Sequence, residues 1–341
     1  MSTDGQIQVF ATCPQSKDVS RDEYLSRVAE VARWSEDADC EGILVYTDNG
    51  IADVWLVSQA ILAATERLCP LVALQPVYMH PYTAAKMVTT LALLHGRRLW
   101  LNILAGGFKR DLEALGDTTP HDERYERSIE YTQIMTGLLR GEQPVTVDDR
   151  YYRVKNLRLT PPLSPELTPG LLISGSSPAG LAAARAIDAT PVKYPKPPGE
   201  EDPPDEDFPE FGVRVGIIAR DDAEQAWQVA RERFPEDRKG QITQKLAMSV
   251  SDSHWHKQLS GRDAQESDAE DEPHPYWLGP FHNYKTFCPY LVGTYTRVAD
   301  ELAGYMRLGA RTFILDIPAS QEELGHIEVV FRLARALDTA A

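Results

Sequence analysis

The segment 171–188 has the sequence LLISGSSPAGLAAARAID, which contains the signals of a strand, a turn and a helix in succession. Its apolar run predicts a buried strand, the Gly-Ser-Ser sequence a turn, and Pro178 the first turn of a following helix. The N–H groups and hydroxyls of Gly175, Ser176 and Ser177 would converge at the positive end of that helix, where proteins commonly bind phosphate. The same residues also fit an ordinary helix N-cap, so the segment alone leaves both interpretations open.

Similar strand-like runs recur along the chain, with amphipathic helical patterns between them. Most are continuously apolar instead of alternating, which is typical of parallel strands buried on both faces. Eight are predicted, at 7–12, 42–47, 71–77, 99–104, 171–174, 191–194, 213–219 and 312–316. We therefore predict an α/β fold, a (β/α)8 TIM barrel that occupies residues 1–341 as a single domain.

Two insertions interrupt this repeat, at 105–170 and 235–290. The first contains a predicted helix at 122–139 and a small hairpin near 145–154. Within the second, the polar segment 251–275 follows a strand, so it is a candidate mobile lid at the rim where barrel enzymes build their active sites.

Composition restricts the function classes. The chain has 43% hydrophobic and 25% charged residues and a formal net charge of −16, which argues against nucleic acid or an anionic membrane as a partner. Four scattered cysteines form no C-x-x-C pair, and no signal peptide or membrane span is recognisable. We expect a cytoplasmic protein.

Several polar residues lie where active-site groups are expected. Asn102 lies at the rim of the fourth predicted strand, and the candidate phosphate site at 175–177 lies at the rim of the fifth. His121 and Tyr125 are one helical turn apart at the start of the predicted helix, so their side chains share a face. A capped helix start with a packed tyrosine would give the same spacing, and this alternative also stays open.

Hydrolytic chemistry has little support in the sequence. The first strand ends in Ala-Thr-Cys, without the paired histidines of barrel metallohydrolases, and there is no G-x-S-x-G motif. His254 and His256 form an H-x-H in the candidate lid, where a solvated loop is the simpler interpretation. We expect no metal.

The chain resembles a known family over about residues 10–337. The similarity is carried by TERLCPLVALQPVYMHPYTAAKMVTTLALLHGRRLWLNILAGG, HDERYERSIEY, YYRVKNLRL and ISGSSPAG. It is similar to the bacterial-luciferase-like flavin monooxygenases, in particular their alkanesulfonate monooxygenase branch. The resemblance implies a barrel with luciferase-like insertions that uses reduced FMN and O2, an NAD(P)H-dependent flavin reductase as partner, and a homodimer or homotetramer.

The resemblance also implies which residues bind the cofactor. Ser176 and Ser177 would hold the FMN phosphate together with Gly175. This agrees with the candidate phosphate site that the turn itself indicates. His121 and Tyr125 would flank the ribityl-phosphate chain.

The ring system would lie beside Asn102 and over the third strand. There the resemblance suggests an irregular peptide near Ala73 and Leu74, beneath the isoalloxazine.

Three segments depart from the alkanesulfonate branch. Ile51 stands where those enzymes carry a Cys, Arg214-Val215-Gly216 where they have Arg-x-His, and Ile317-Pro318-Ala319 where they have Tyr-x-His. The polar groups of a sulfonate pocket are largely lost, so we expect a larger, less charged organic substrate.

The substrate pocket is predicted to be an apolar mouth formed by Ile51, Trp55, Tyr78, Phe108 and Ile317, although barrel packing would also account for the aromatic residues. Arg214 is the candidate catalytic residue, to hold a substrate anion or to stabilise the activated oxygen. A structural ion pair is the alternative role for this arginine.

Three functional classes follow from these observations. The first is a two-component monooxygenase that uses reduced FMN and O2 on an organic substrate of specialised metabolism. The second is an oxidoreductase dependent on the deazaflavin coenzyme F420, since barrels of this type also use that cofactor. The third is a non-catalytic flavin-binding paralogue, which the three lost polar positions would permit.

Overall fold

The computed structural model describes residues 6–202, 208–249 and 274–339. Of the candidate lid, residues 251–273 lie outside the described residues, and so do His254 and His256. The remaining predictions fall largely on described parts of the chain.

The described residues form twelve strands, eight of which are the parallel strands of the barrel. The order of these eight is β1, β2, β3, β4, β7, β8, β9, β12, with β12 next to β1 again, so the predicted (β/α)8 TIM barrel is confirmed. The strands are β1 (Gln8–Thr12), β2 (Gly42–Val45), β3 (Cys69–Leu74), β4 (Trp100–Ile103), β5 (Val145–Asp148), β6 (Arg153–Leu157), β7 (Gly170–Ser174), β8 (Thr190–Lys193), β9 (Phe211–Arg220), β10 (Tyr276–Trp277), β11 (Tyr290–Thr294) and β12 (Ala310–Leu315).

The helices alternate with these strands and fill the two insertions. They are α1 (Tyr24–Asp37), α2 (Val54–Ala64), α3 (Pro81–His95), α4 (Lys109–Ala114), α5 (His121–Leu139), α6 (Pro178–Ile187), α7 (Ala223–Arg233), α8 (Arg238–Ser249), α9 (Gly279–His282), α10 (Tyr295–Arg307) and α11 (Gln321–Thr339). Across the described ranges, no helix has both the length and the apolar character that crossing a membrane requires.

The chain divides into two compact units. The N-terminal unit comprises Cys13–Glu36 and Glu41–Pro191, and the C-terminal unit comprises Met1–Thr12, Asp37–Cys40 and Val192–Ala341.

In the N-terminal unit, strands β2, β3, β4 and β7 pair in parallel and their helices begin at identifiable caps. The Asp53 carboxylate accepts the N–H groups of Trp55 and Leu56, both at 3.0 Å, and so starts α2. At the other end of α3, Gly96 adopts a left-handed φ of 63°, which glycine tolerates without strain. Helix α2 therefore starts, and α3 ends, where the sequence supplies a suitable capping residue.

The hairpin of β5 and β6 is fastened to α5. Arg150, at its turn, bridges Glu123 at 2.6 Å and Glu126 at 3.0 Å. The Glu130 carboxylate accepts the backbone N–H groups of Tyr151 and Tyr152. Three acidic residues on successive turns of α5 thus bind the hairpin, and the predicted hairpin and helix of the first insertion are both confirmed.

In the C-terminal unit, β9 is ten residues long and buried along its whole length. Its first half pairs in parallel with β12, from Phe211 to Val215, and its second half pairs in parallel with β11, from Gly216 to Arg220. The strand therefore belongs to the barrel at one end and to an added sheet of β10 and β11 at the other.

Two local predictions are corrected here. The sequence interpretation omitted β10 and β11, although Tyr290–Thr294 (YLVGT) is an apolar run of strand length. It also ended the seventh predicted strand at 219, whereas β9 ends at Arg220 and Asp222 caps the helix that follows by accepting the Gln225 N–H at 2.8 Å.

Glu36 holds the loop that leads into β3. Its carboxylate accepts the backbone N–H groups of Glu66, Arg67 and Leu68. Burial raises the pKa of the Glu36 carboxyl, but the three N–H donors outweigh burial and bring the pKa below its ordinary value. The resulting stabilisation is present above the unfolded-state pKa and is lost as the pH falls through the folded-state pKa.

We expect Glu36→Gln to lower the free energy of unfolding by about 1–2 kcal/mol at neutral pH, because an amide cannot replace a charged acceptor of three N–H groups. Glu30→Gln on the same helix, which removes an exposed ion pair with Arg27, is the matched control and should change it by less than about 0.5 kcal/mol. Urea unfolding of both variants at neutral and acid pH is the measurement. A gap between Glu36→Gln and the wild type that persists at acid pH would contradict this account.

Candidate active site

The strand, turn and helix predicted over 171–188 are present as β7, the turn at 175–177 and α6. Ser177 is 8% exposed and is the N-cap of α6, where its Oγ accepts the Gly180 N–H at 3.1 Å. Pro178 follows as the first helical residue, and Ser176 is half-buried. Ser177 is thus an ordinary N-cap. The positive end of the ten-residue helix α6 lies at the carboxyl end of the barrel strand β7.

Tyr125 packs directly on this turn. A Cβ on Gly175 would lie 2.4 Å from the Tyr125 hydroxyl oxygen, so only glycine fits at that position. The Tyr125 hydroxyl is hydrogen-bonded to the Ser177 side chain and lies 3.4 Å from the Ser174 carbonyl oxygen, to which it donates. Burial raises the pKa of Tyr125 above its ordinary value, so the phenol stays protonated at neutral pH.

His121 lies beside Tyr125, as the spacing predicted. The two ring centroids are 5.3 Å apart, with the rings inclined at 68°. The His121 Nδ1 lies 2.7 Å from an Asp122 carboxylate oxygen, a contact that fixes the ring and makes Nε2 its other polar atom. The start of α5 therefore brings a half-buried imidazole and a phenol to the turn before α6.

Asn102 occupies the end of β4 and is 5% exposed. The Ser174 hydroxyl donates to its Oδ1 at 3.0 Å, so the amide NH2 is the donor that the side chain offers to other groups. Ala73 lies opposite Asn102 in the register of β3 and β4 and is buried. The irregular peptide expected near Ala73 and Leu74 is not found, since β3 keeps its register through Leu74 and the cis peptides of the described residues precede Pro144 and Pro161.

Four of the five substrate-pocket candidates lie in the N-terminal unit, after β2, β3 and β4. The Tyr78 hydroxyl donates to Asn49 Oδ1 at 2.8 Å, and Asn49 Nδ2 donates to the Asp111 carbonyl oxygen at 2.9 Å. These bonds connect the loop after β2, which contains the half-buried Ile51, to α4, which begins after Phe108.

Tyr78 and Trp55 differ in their surroundings. Burial and the nearby Asp111 and Asp48 raise the pKa of Tyr78 to about 12. Trp55 is 3% exposed, and its indole Nε1 makes no hydrogen bond to any part of the chain that the structure describes. Both roles considered for Trp55, barrel packing and a pocket wall, are compatible with this burial.

In the C-terminal unit, Arg214 lies in the half of β9 that pairs with β12, and it is 7% exposed. Its Nη2 is 3.8 Å from an Asp316 carboxylate oxygen, and its Nη1 donates to the Tyr194 hydroxyl at 3.3 Å. The remaining pocket candidate, Ile317, follows Asp316 and accepts a hydrogen bond at its carbonyl from Arg233. Arg214 therefore has a carboxylate partner, as the ion-pair alternative proposed.

The other Asp316 carboxylate oxygen accepts the Tyr290 hydroxyl at 2.8 Å. Tyr290 comes from β11, is 1% exposed, and its ring lies against the α-carbon of Gly216, where a Cβ would be 2.3 Å from a ring carbon. Burial, and after it the charge of Asp316, raises the pKa of Tyr290 well above its ordinary value, so it remains a donor. Cys288 is fully buried nearby, and the same two causes raise its pKa to about 12.

We call Tyr194, Arg214, Tyr290 and Asp316 the Arg214 cluster. Sequence reasoning found only its arginine. Asp316 was included in the eighth predicted strand, and Tyr290 lies in the omitted strand β11. The signal that could have identified Asp316 was its place at the carboxyl end of a barrel strand, where functional groups concentrate.

Metal chemistry has no counterpart in the described residues. No group of three or more His, Cys, Asp or Glu side chains there is arranged to hold a metal ion. The four cysteines are free thiols, two of them buried.

A family model described as luciferase-like monooxygenase matches residues 6–312. The chain belongs to the luciferase-like monooxygenase family. It is 32% identical over 331 residues to 4-(gamma-L-glutamylamino)butanoyl-[BtrI acyl-carrier protein] monooxygenase BtrO from Niallia circulans, covering 95% of this chain and 96% of that protein. The resemblance noted in the sequence is thereby confirmed.

Solved structures share the fold at lower identity. The riboflavin lyase RcaE, solved with modified FMN and riboflavin, superposes with a TM-score of 0.71 at 16% identity, covering 98% of this chain and 92% of that one. An F420-dependent secondary alcohol dehydrogenase, in complex with an F420-acetone adduct, gives 0.67 at 16% identity, with coverages of 97% and 99%. The luciferase-like barrel of this chain thus has solved counterparts named for two different cofactors.

We expect Gly216→Ala to destabilise this luciferase-like protein by about 1–3 kcal/mol, because the added Cβ overlaps the buried Tyr290 ring and forces it to move. Gly325→Ala is the matched control. Gly325 lies exposed in α11, where an added Cβ would have no neighbouring atom within 4 Å, and alanine there should raise stability by about 0.5–1 kcal/mol. Thermal unfolding of both variants measures the difference, and equal effects would refute the packing argument.

Proposed function

We propose that this chain is the oxygenase component of a two-component flavin monooxygenase. A separate NAD(P)H-dependent reductase supplies reduced FMN, and the protein uses it with O2 to oxygenate an organic substrate. The cofactor proposal rests on one observation. The buried Ser177 caps α6, and the Tyr125 hydroxyl lies directly against Gly175 in the same turn. Monooxygenase activity itself is a property of the family to which the chain belongs.

The residues at this turn fit a phosphate monoester. They offer the positive end of α6, the half-buried Ser176 and the protonated phenol of Tyr125. In this proposal Gly175, Ser176 and Ser177 hold the phosphate, while His121 and Tyr125 flank the chain that connects it to the ring. The Asp122 carboxylate beside His121 is strongly exposed and is engaged by the imidazole, so it does not occupy the turn itself.

Reduced FMN, when bound, supplies the two electrons that activate O2. The contribution of the chain is to bind, orient and shield. In this proposal Asn102, oriented by the Ser174 hydroxyl, would offer its amide NH2 to the ring, with Ala73 opposite it in the register of β3 and β4. Burial of these groups excludes water, which favours transfer of oxygen over its loss.

For the substrate we propose an acyl group attached to a carrier protein. BtrO, the relative that aligns along nearly the whole chain, is named for such a substrate. Ile51, Gly216 and Ile317 replace the polar groups of a sulfonate pocket, so a small alkanesulfonate is disfavoured. The expectation of an organic, weakly charged substrate agrees with a thioester, which carries no charge.

An F420-dependent oxidoreductase is the second candidate, because a dehydrogenase with this barrel carries that coenzyme. The sequences HDERY at 121–125 and GSSPAG at 175–180 favour FMN over the deazaflavin. A flavin-binding paralogue without activity is the third.

The test is an anaerobic titration with reduced FMN, reduced riboflavin and reduced F420, followed by admission of O2. We expect the chain to bind reduced FMN preferentially and to delay the appearance of oxidised flavin after mixing with O2. Preferential binding of F420 would favour the second candidate. Binding of FMN with no delay would favour the third.

The variant Ser177→Asp tests the proposed phosphate-binding site in the same titration. Aspartate is a good N-cap, so α6 should still form, but its carboxylate repels a phosphate. We expect affinity for reduced FMN to fall about tenfold or more and affinity for reduced riboflavin, which has no phosphate, to stay within about twofold. An equal loss for both ligands, or none for either, would remove Ser177 from the phosphate site.

We also propose that the protein is a homo-oligomer, with α2 and α3 as the contact surface. Helix α2 has no charged residue, and its Leu56 is 73% exposed. On α3, Leu93 and Leu94 are 67% and 64% exposed. Copies of a chain with net charge −16 repel each other, so a face built from two helices without an acidic residue is the surface on which a second copy can pack.

The double variant Leu93→Glu, Leu94→Glu should shift the protein from an oligomer to a single 38.1 kDa chain in sedimentation equilibrium, because two buried carboxylates would be unpaired. Leu25→Glu alters a leucine that is 65% exposed on α1 and is the control. It should leave the mass unchanged. A wild type that sediments as one chain would refute the proposal at once.

A further inference from the structure

The Arg214 cluster contains opposite charges that are nearly withdrawn from solvent. The side chains of Arg214 and Asp316 are 9% and 11% exposed, and their nearest charged atoms are 3.8 Å apart. At that distance and burial, the carboxylate strongly opposes the electrostatic attraction of the guanidinium for any other anion.

Two tyrosines of the cluster orient the Arg214 guanidinium and the Asp316 carboxylate. The guanidinium donates to the Tyr194 hydroxyl, and the carboxylate accepts the Tyr290 hydroxyl on its second oxygen. Tyr290 can reach Asp316 because Gly216 leaves space for its ring, which also packs edge-on to Phe234 at 4.9 Å. The glycine at 216 is thus what allows the Tyr290 hydroxyl to reach the Asp316 carboxylate.

We propose that Asp316 is a specificity-determining residue, which cancels the charge of Arg214 so that this end of β9 and β12 receives an uncharged substrate group and rejects a free carboxylate or sulfonate. This inference rests on the proposed oxygenase function and specifies its substrate class. A thioester-linked acyl group meets the requirement, because its carbonyl end has no charge, whereas the free acid does not.

Arg233 is a second cation close to the cluster. Its guanidinium carbon lies 5.8 Å from the centre of the Tyr290 ring, and its Nη2 donates to the Ile317 carbonyl. An experiment on Asp316 must therefore separate the charge of Arg214 from that of Arg233.

The experiment uses calorimetric titration of flavin-free, full-length protein with butanoate and with its uncharged isostere butanamide. Asp316→Asn should raise the affinity for butanoate about tenfold or more and leave that for butanamide within about twofold. Adding Arg214→Gln to Asp316→Asn should abolish the gain. Because no flavin is present, the outcome is independent of the test of the oxygenase function.

Two results would overturn the proposal. The first is a folded Asp316→Asn variant, judged by its near-ultraviolet circular dichroism, with no gain for butanoate. The second is a gain that survives Arg214→Gln, which would assign the attraction to Arg233. If Asp316→Asn does not fold, the wild type decides: an affinity for butanoate no higher than that for butanamide supports the proposal, and a higher one overturns it.

Discussion

The parallel hydrogen-bond ladder of β9 is the constraint on which the C-terminal unit depends. Because its first half pairs with β12 and its second half with β11, one strand fixes both a barrel wall and the added sheet. The same ladder sets Gly216 opposite Tyr290 in register and carries Arg214 two residues earlier. The chemistry of the Arg214 cluster is therefore a consequence of strand pairing.

The turn after β7 depends on a different constraint, the close approach of Tyr125 to Gly175. A helix N-terminus needs a cap, and Ser177 supplies one, but a cap is compatible with many functions. What distinguishes this turn is the phenol that α5 places on it, with His121 one turn away on the same helix. The hairpin fastened to the acidic face of α5 adds contacts that hold this helix in place.

The barrel could be predicted because each βα repeat leaves a local signal, an apolar run followed by a turn and a helical period. Ser177 and the pairing of His121 with Tyr125 could be predicted for the same reason, since they depend on neighbours within one helical turn. Asp316 and Tyr290 could not, because their partners are distant in sequence and one of them lies in an insertion strand. A buried arginine such as Arg214 requires a partner, but the residues next to it in the sequence do not identify which one.

The contact between Gly216 and Tyr290 also limits which sequences this fold can accept. Any side chain larger than hydrogen at 216 collides with the aromatic ring, so an imidazole at 216 and a tyrosine at 290 exclude each other. Histidine at 216 is compatible only with a small residue at 290. The two positions form an epistatic pair, and sequences in which both are large are expected to be missing from the lineage.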